Sequence, residues 1–185
     1  MRLVATVKRF PNKMIRPYTG NKDGLGTGER KGLTVFIKEL CKRYPALWNN
    51  GSFVNRSMRG KQGVLSVHAT GRAVDLSFRF TPNHKDASNT KGIKEGGRKQ
   101  AMEAMDFVVK HANEFGLECI LDYFPIPHGR GWRCDRSAWS VYTKEEIHGA
   151  PMGDWIHFEL SPKMADDAEA MRAAFNAIPL QAQVI

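Results

Sequence analysis

The stretch SVHATGRAVDLSF, residues 66 to 78, holds one histidine, His68, and one aspartate, Asp75, with Gly71 between them and an apolar alternation behind. In a continuous strand the two side chains would lie roughly 23 Å apart and on opposite faces. In a helix they would be about 10.5 Å apart along the axis. Neither geometry lets both reach one ion, so a shared site requires the chain to reverse between them. Thr70-Gly71 is the place for that reversal, because glycine tolerates the backbone angles of a tight turn.

Beyond the glycine the pattern is that of a strand. Val74, Leu76, Phe78 and Phe80 fall on one face, and Asp75, Ser77 and Arg79 on the other. A second segment, DWIHFEL at 154–160, repeats the arrangement. Ile156, Phe158 and Leu160 form its apolar face, and His157 lies opposite with Trp155 and Glu159. If the two strands are neighbours, Asp75 and His157 converge on one face and His68 reaches them from beyond the turn. Two histidines and one carboxylate leave a fourth position for water, which is the composition of a catalytic zinc site. Glu159 reads as structural, bonded within the sheet or to a ligand from behind.

Periodicity supplies the frame around these strands. Leu33, Phe36, Leu40, Cys41 and Tyr44 recur at helical spacing over 31–44, and Pro45 closes that helix. A second helix is expected over 98–115, with Met102, Met105, Val108, Val109, Ala112 and Phe115 on its stripe and Gly116 at its end. Short strands are expected at 3–7, at GSFVNRS (51–57) and at LECILDY (117–123), and a terminal helix over 164–178. Residues 81–97 read as a long polar loop containing His84, and 124–153 as loop around a short apolar AWSVY, with Trp132 and Trp139 as candidates for a substrate groove. The implied class is α+β, with a small antiparallel or mixed sheet that carries helices on one face and the zinc site on the other.

At 185 residues, 42% of them hydrophobic and 25% charged, the chain matches a single soluble domain. It divides into a basic loop-rich extension (1–30), a motif-bearing core (31–160) and a C-terminal helix (161–185). No apolar run reaches the ~20 residues of a membrane span, and the start lacks the apolar stretch of a secretory signal. Cys41, Cys119 and Cys134 are too dispersed for a disulfide framework or a Cys-x-x-Cys zinc site. Charge is uneven: residues 1–62 carry 14 Lys/Arg against 3 Asp/Glu, a net +11, and the remainder 14 against 16, a net −2. A basic first third suits a polyanionic partner such as nucleic acid or bacterial wall polymer.

Ser66, His68, Gly71, Ala73 and Asp75 match the pattern S-x-H-x-x-G-x-A-x-D, and DWIHFE at 154–159 places an acidic residue three before a histidine. On these two motifs, in this order, the chain resembles the zinc D-Ala-D-Ala carboxypeptidase and L-alanyl-D-glutamate endopeptidase family, which includes peptidoglycan-cutting phage endolysins. The resemblance covers residues 31 to 160 and implies the Hedgehog/D-Ala-D-Ala peptidase-like fold. It further implies that His68, Asp75 and His157 bind Zn²⁺, that Asp154 is the general base, and that Ser66 contacts substrate. It also implies an arginine that stabilises the oxyanion, for which Arg56 stands in the matching setting and Arg59 is the rival. Two positions depart from the family: Asp154 replaces the commoner glutamate, and Trp155 stands where some relatives have a histidine. Alternation would put Asp154 on the face away from His157, so it belongs to the turn ahead of the strand or to a bulge.

The function expected on this resemblance is hydrolysis of a peptide bond in peptidoglycan stem peptides, by a monomer without a nucleic-acid partner. Lacking a secretory segment, such an enzyme would stay in the host cytoplasm until a phage holin releases it to the wall, or travel in the virion. A zinc-binding module without turnover, as in Hedgehog domains, and a basic polyanion-binding protein are the alternatives. Neither requires the acidic residue at 154, and no nucleic-acid-binding motif is present.

Overall fold

The alternation in residues 73–78 becomes the strand β4, Ala73–Ser77, in which Val74 and Leu76 are fully buried while Asp75 stays partly exposed. The computed structural model describes residues 15–79 and 96–178. The strand expected at 3–7, Phe80, His84 and most of the polar loop at 81–97 lie outside the described residues. Along the chain follow α1 (Lys31–Arg43), β1 (Trp48–Gly51), β2 (Ser57–Met58), β3 (Lys61–Leu65), a 3₁₀ turn (Val67–Thr70), β4, α2 (Gly97–Lys110), β5 (Leu117–Asp122), β6 (Arg130–Arg133), β7 (Ala138–Val141), β8 (Trp155–Leu160), α3 (Pro162–Asp166) and α4 (Ala168–Ala177). The six-stranded sheet has the order β1-β4-β8-β5-β6-β7, each neighbouring pair antiparallel. β2 and β3 form a separate hairpin. The protein is thus α+β.

The apolar sheet face carries Val74, Leu76, Ile120, Ile156, Phe158 and Leu160, all without exposed surface. Against it packs Phe36 of α1, 5.7 Å from the Phe158 ring and 6.0 Å from Phe115, in edge-on contacts. Burying one such phenylalanine stabilises the fold by about 2–3 kcal/mol. α1 ends where expected, with the Tyr44 N–H donating to Leu40 O. Most of the stripe expected around α2 is kept, with Met105, Val108, Ala112 and Phe115 buried and Val109 packed against the core, but Met102 is 43% exposed while Ala101 and Ala104 are buried in its stead. The helix stops at Lys110, and turns lead on to Gly116.

The structure departs from expectation at three further places. The terminal helix is two helices, because Asp167 leaves helical geometry and accepts hydrogen bonds from the N–H groups of Glu169 and Ala170, capping the second. Residues 130–133, read as loop, form a strand paired with both β5 and β7, which removes Trp132 from any groove: it is 3% exposed and belongs to the core, with Trp139 partly buried against it. In the segment 51–57 only the two ends are strand, Gly51 closing β1 and Ser57 opening β2.

Residues 15–30 are loop, as expected, apart from a 3₁₀ turn at Gly20–Lys22, yet tied to the core rather than standing off it. Gly26 N–H donates to Ala69 O, Arg30 N–H to Gly71 O, and Arg16 N–H to Cys134 O. The centre of this attachment is Arg72, which has no exposed surface. Its guanidinium bonds Glu118 Oε2 at 3.0 Å, lies 3.3 Å from Asp23 Oδ2, and donates to the carbonyls of Leu160 and Gly20. Among the described residues, no helix is long and apolar enough to cross a membrane.

Arg72 neutralises Glu118, itself 2% exposed, so removing one partner strands the other. Arg72→Met should cost about 3–5 kcal/mol and lower the melting temperature by on the order of 10 °C. Urea unfolding of the two proteins checks this, and a loss under about 1 kcal/mol would contradict it.

Candidate metal centre

The reversal that the spacing of His68 and Asp75 demands takes place at Thr70-Gly71. The 3₁₀ turn is closed by Ala69 N–H to Ser66 O, Gly71 N–H to His68 O and Thr70 Oγ1 to Val67 O, at 2.8–3.0 Å. Gly71 sits at φ +76°, and a Cβ there would collide with the Gly28 carbonyl, so both conformation and space require glycine. The turn returns His68 to the face that carries Asp75. Across the sheet, the β4–β8 register sets Asp75 directly opposite His157.

The outcome is a cluster of His68, Asp75 and His157 whose ligand atoms all lie within 4.8 Å of one another, the only such group among the described residues. His68 Nε2 is 3.4 Å from Asp75 Oδ2, and His157 Nδ1 is 2.9 Å from Asp75 Oδ1. The two imidazoles meet edge to face, 4.8 Å between centroids. Each ring is held from behind at its other nitrogen. His68 Nδ1 is 2.5 Å from Ser52 O, a carbonyl that only accepts, so this nitrogen carries the proton. His157 Nε2 donates to Glu159 Oε1 at 3.0 Å. With the outer nitrogens so engaged, Nε2 of His68 and Nδ1 of His157 are the ones turned toward Asp75, the arrangement that orients histidine ligands at metal sites. Tetrahedral ligands at zinc distances sit about 3.3–3.4 Å from one another, a spacing that His68 and Asp75 show and that lies between the 2.9 Å of Asp75 and His157 and the 4.8 Å within which all three ligand atoms fall. The residues therefore fit a small divalent cation.

The electrostatics agree with that fit. Burial pushes the Asp75 carboxyl up, but hydrogen bonds from His157 and His68 outweigh it and hold the group well below the usual carboxylate range. Burial disfavours the charged form of His157, yet its bonds to Asp75 and Glu159 raise it to about 10. Glu159, 5% exposed, is likewise pushed up by burial and brought below its ordinary value by His157 and Tyr18. One partly exposed carboxylate, Asp75, and one buried carboxylate, Glu159, thus flank the rings, an environment that favours positive charge.

The other expected residues take varied places. Asp154 lies just ahead of β8, in the turn rather than at a bulge, the two places that alternation left open, its carbonyl accepting from Phe78 N–H and Ser77 Oγ. Its carboxylate is 3.4 Å from Arg79 Nε, and burial raises its pKa against the pull of Arg79. The Arg79 guanidinium is 5.8 Å from the Trp48 ring, and Trp48 stands opposite Ser77, so the pair lies toward the Ser77 end of the Asp75 face. Asp154 is not part of the ligand cluster. Ser66, two residues before His68, is buried, and its N–H donates to Arg56 O at 3.1 Å, placing Arg56 at the base of the β2–β3 hairpin. Arg59 is exposed at the hairpin tip, between the paired Met58 and Lys61. Ser52, Arg79 and Tyr18 were not legible as site residues. Tyr18 Oη donates to Glu159 Oε2 at 2.8 Å from a loop with no periodic pattern. Tyr123, 9% exposed, stacks on Trp155 with 4.8 Å between centroids, and burial followed by the Asp75 charge pushes its phenol well up, so it stays protonated.

Metal-free protein dialysed against Zn²⁺ should take up about one equivalent, and His68→Ala, Asp75→Ala and His157→Ala should each lose most of it. Elemental analysis after gel filtration gives the answer, and full uptake by any of the three variants would remove that residue from the site. Comparison of the chain with protein-family models, with curated proteins and with solved structures gives no match, so what this site does has to be read from its own geometry.

Proposed function

We propose that this chain is a zinc-dependent peptidase that hydrolyses a peptide bond in the stem peptides of bacterial peptidoglycan, with the fold of the D-Ala-D-Ala carboxypeptidase type, acting as a phage endolysin or a virion-associated lysin. The observation that carries the reading is the pair of imidazoles held from behind, one nitrogen of each turned toward Asp75, at the positions where the two motifs lie. Bound there, zinc would supply a Lewis acid for the scissile carbonyl and lower the pKa of a water molecule toward ~7. Asp154 takes the proton from the attacking water and returns it to the leaving amine nitrogen. Its raised pKa suits that exchange better than an ordinary aspartate would. Arg56, joined to Ser66 through the backbone, is the donor toward the developing oxyanion, and Ser66 contacts the substrate peptide. The basic first third holds the protein on anionic wall polymer.

One observation favours a module without turnover: the Asp154 carboxylate is already engaged by Arg79. Asp154→Asn separates the readings. In the peptidase, zinc content and melting temperature stay as they are while kcat falls by roughly 10²–10⁴-fold. Mass spectrometry of muropeptides from purified walls, with and without chelator, is the readout. Walls left uncut by the wild type would overturn the peptidase reading, and walls cut as fast by Asp154→Asn would overturn the assignment of this base.

The ion pair makes a separate prediction about pH. A base must be deprotonated, so kcat/KM falls on the acid side as Asp154 takes up its proton. Arg79 holds the Asp154 pKa down; Arg79→Gln should therefore move the acid limb of the profile to higher pH. A limb that stays in place would show that Asp154 does not set it.

A further inference from the structure

We propose that the Tyr18 hydroxyl is a positioning group of the metal centre, acting through Glu159 to orient His157. The inference rests on the metal-binding reading of the cluster and not on any particular substrate. Tyr18 lies outside both motifs, on the segment that Arg72 and the backbone bonds of residues 16–30 draw onto the sheet. From it runs a continuous chain of bonds. Tyr18 Oη donates to Glu159 Oε2 at 2.8 Å, Glu159 Oε1 accepts from His157 Nε2 at 3.0 Å, and His157 Nδ1 is turned to Asp75 at 2.9 Å.

Glu159 is 5% exposed, so water does not readily replace a lost partner. Without the Tyr18 hydroxyl, Oε2 is an unsatisfied buried oxygen, and the carboxylate turns to recover a bond at the expense of the one to His157. The imidazole then loses the acceptor that fixes which nitrogen faces the ion. Tyr18 is itself held on several sides. The Arg133 guanidinium lies over its ring at 4.3 Å, Thr19 Oγ1 donates to Glu118 Oε1 at 2.7 Å, and Arg16 N–H bonds Cys134 O. Such a contact is built rather than incidental, and it makes the N-terminal segment part of the site instead of an appendage to it.

Tyr18→Phe keeps the ring beneath Arg133 and removes only the hydroxyl. In the full chain, Zn²⁺ titrated against a competing chromophoric chelator should bind the variant about tenfold or more weakly, while the melting temperature of the metal-free protein changes by no more than about 2 °C. The visible absorption of the Co²⁺-loaded protein should shift as well, since the ligand field changes. Added to Glu159→Ala, the Tyr18→Phe change should weaken zinc no further, because both act along one path. Wild-type zinc affinity in Tyr18→Phe, a loss of thermal stability without loss of affinity, or additive effects in the double variant would each overturn the proposal. Weaker zinc binding by Tyr18→Phe beside a wild type that cuts no wall would support it while overturning the peptidase reading.

Discussion

The antiparallel register that sets Asp75 opposite His157 is the constraint on which the rest of the molecule depends. Because side chains alternate strictly along a strand, a slip of one residue would turn both groups into the core and bring Val74 or Leu76 to the polar side. The register is held by what lies beneath it: Val74 beside Phe158 and Leu76 beside Ile156, all sealed by Phe36 and the helices. The apolar face thus sets the geometry of the polar one, and packing far from any ion decides whether three ligand atoms meet.

A second layer of polar contacts gives the site its orientation. Ser52 O and Glu159 select which imidazole nitrogens turn inward, and Tyr18 completes Glu159. On the same side of the chain, the buried Arg72 joins Glu118, Asp23 and two carbonyls. Buried charges of this kind add little net stability when paired and cost much when one partner is lost. Their effect is to make residues 15–30 inseparable from the fold, which a reading of that segment as a basic extension does not convey.

Apart from the Asp167 cap that splits the terminal helix, the places where expectation and structure part trace to contacts distant in sequence. Met102 fell on a helical stripe whose members Met105 and Val108 are buried as expected, yet it is itself exposed while Ala101 and Ala104 are covered, a choice made by what the helix packs against. Residues 130–133 carry two arginines and a glycine and do not look like a strand, yet β5 and β7 supply bonds on both sides. Parity left Asp154 a turn or a bulge and it lies just ahead of β8, while its partner Arg79, just beyond the end of another strand, carries no local signal.

The sequence by itself determined what is local. Alternation set the two faces of β4 and β8, the impossibility of spanning His68 to Asp75 in regular structure demanded a reversal, and Gly71 marked its position. Those are properties of neighbouring residues and need no partner. Only the tertiary structure decided which strands lie side by side, which nitrogen of each imidazole faces Asp75, and that Tyr18 and Ser52 stand behind the rings. Such contacts join residues 16 to 141 positions apart. They come from the packing of the whole chain, because a hydrogen bond across that separation has no counterpart in the order of residues.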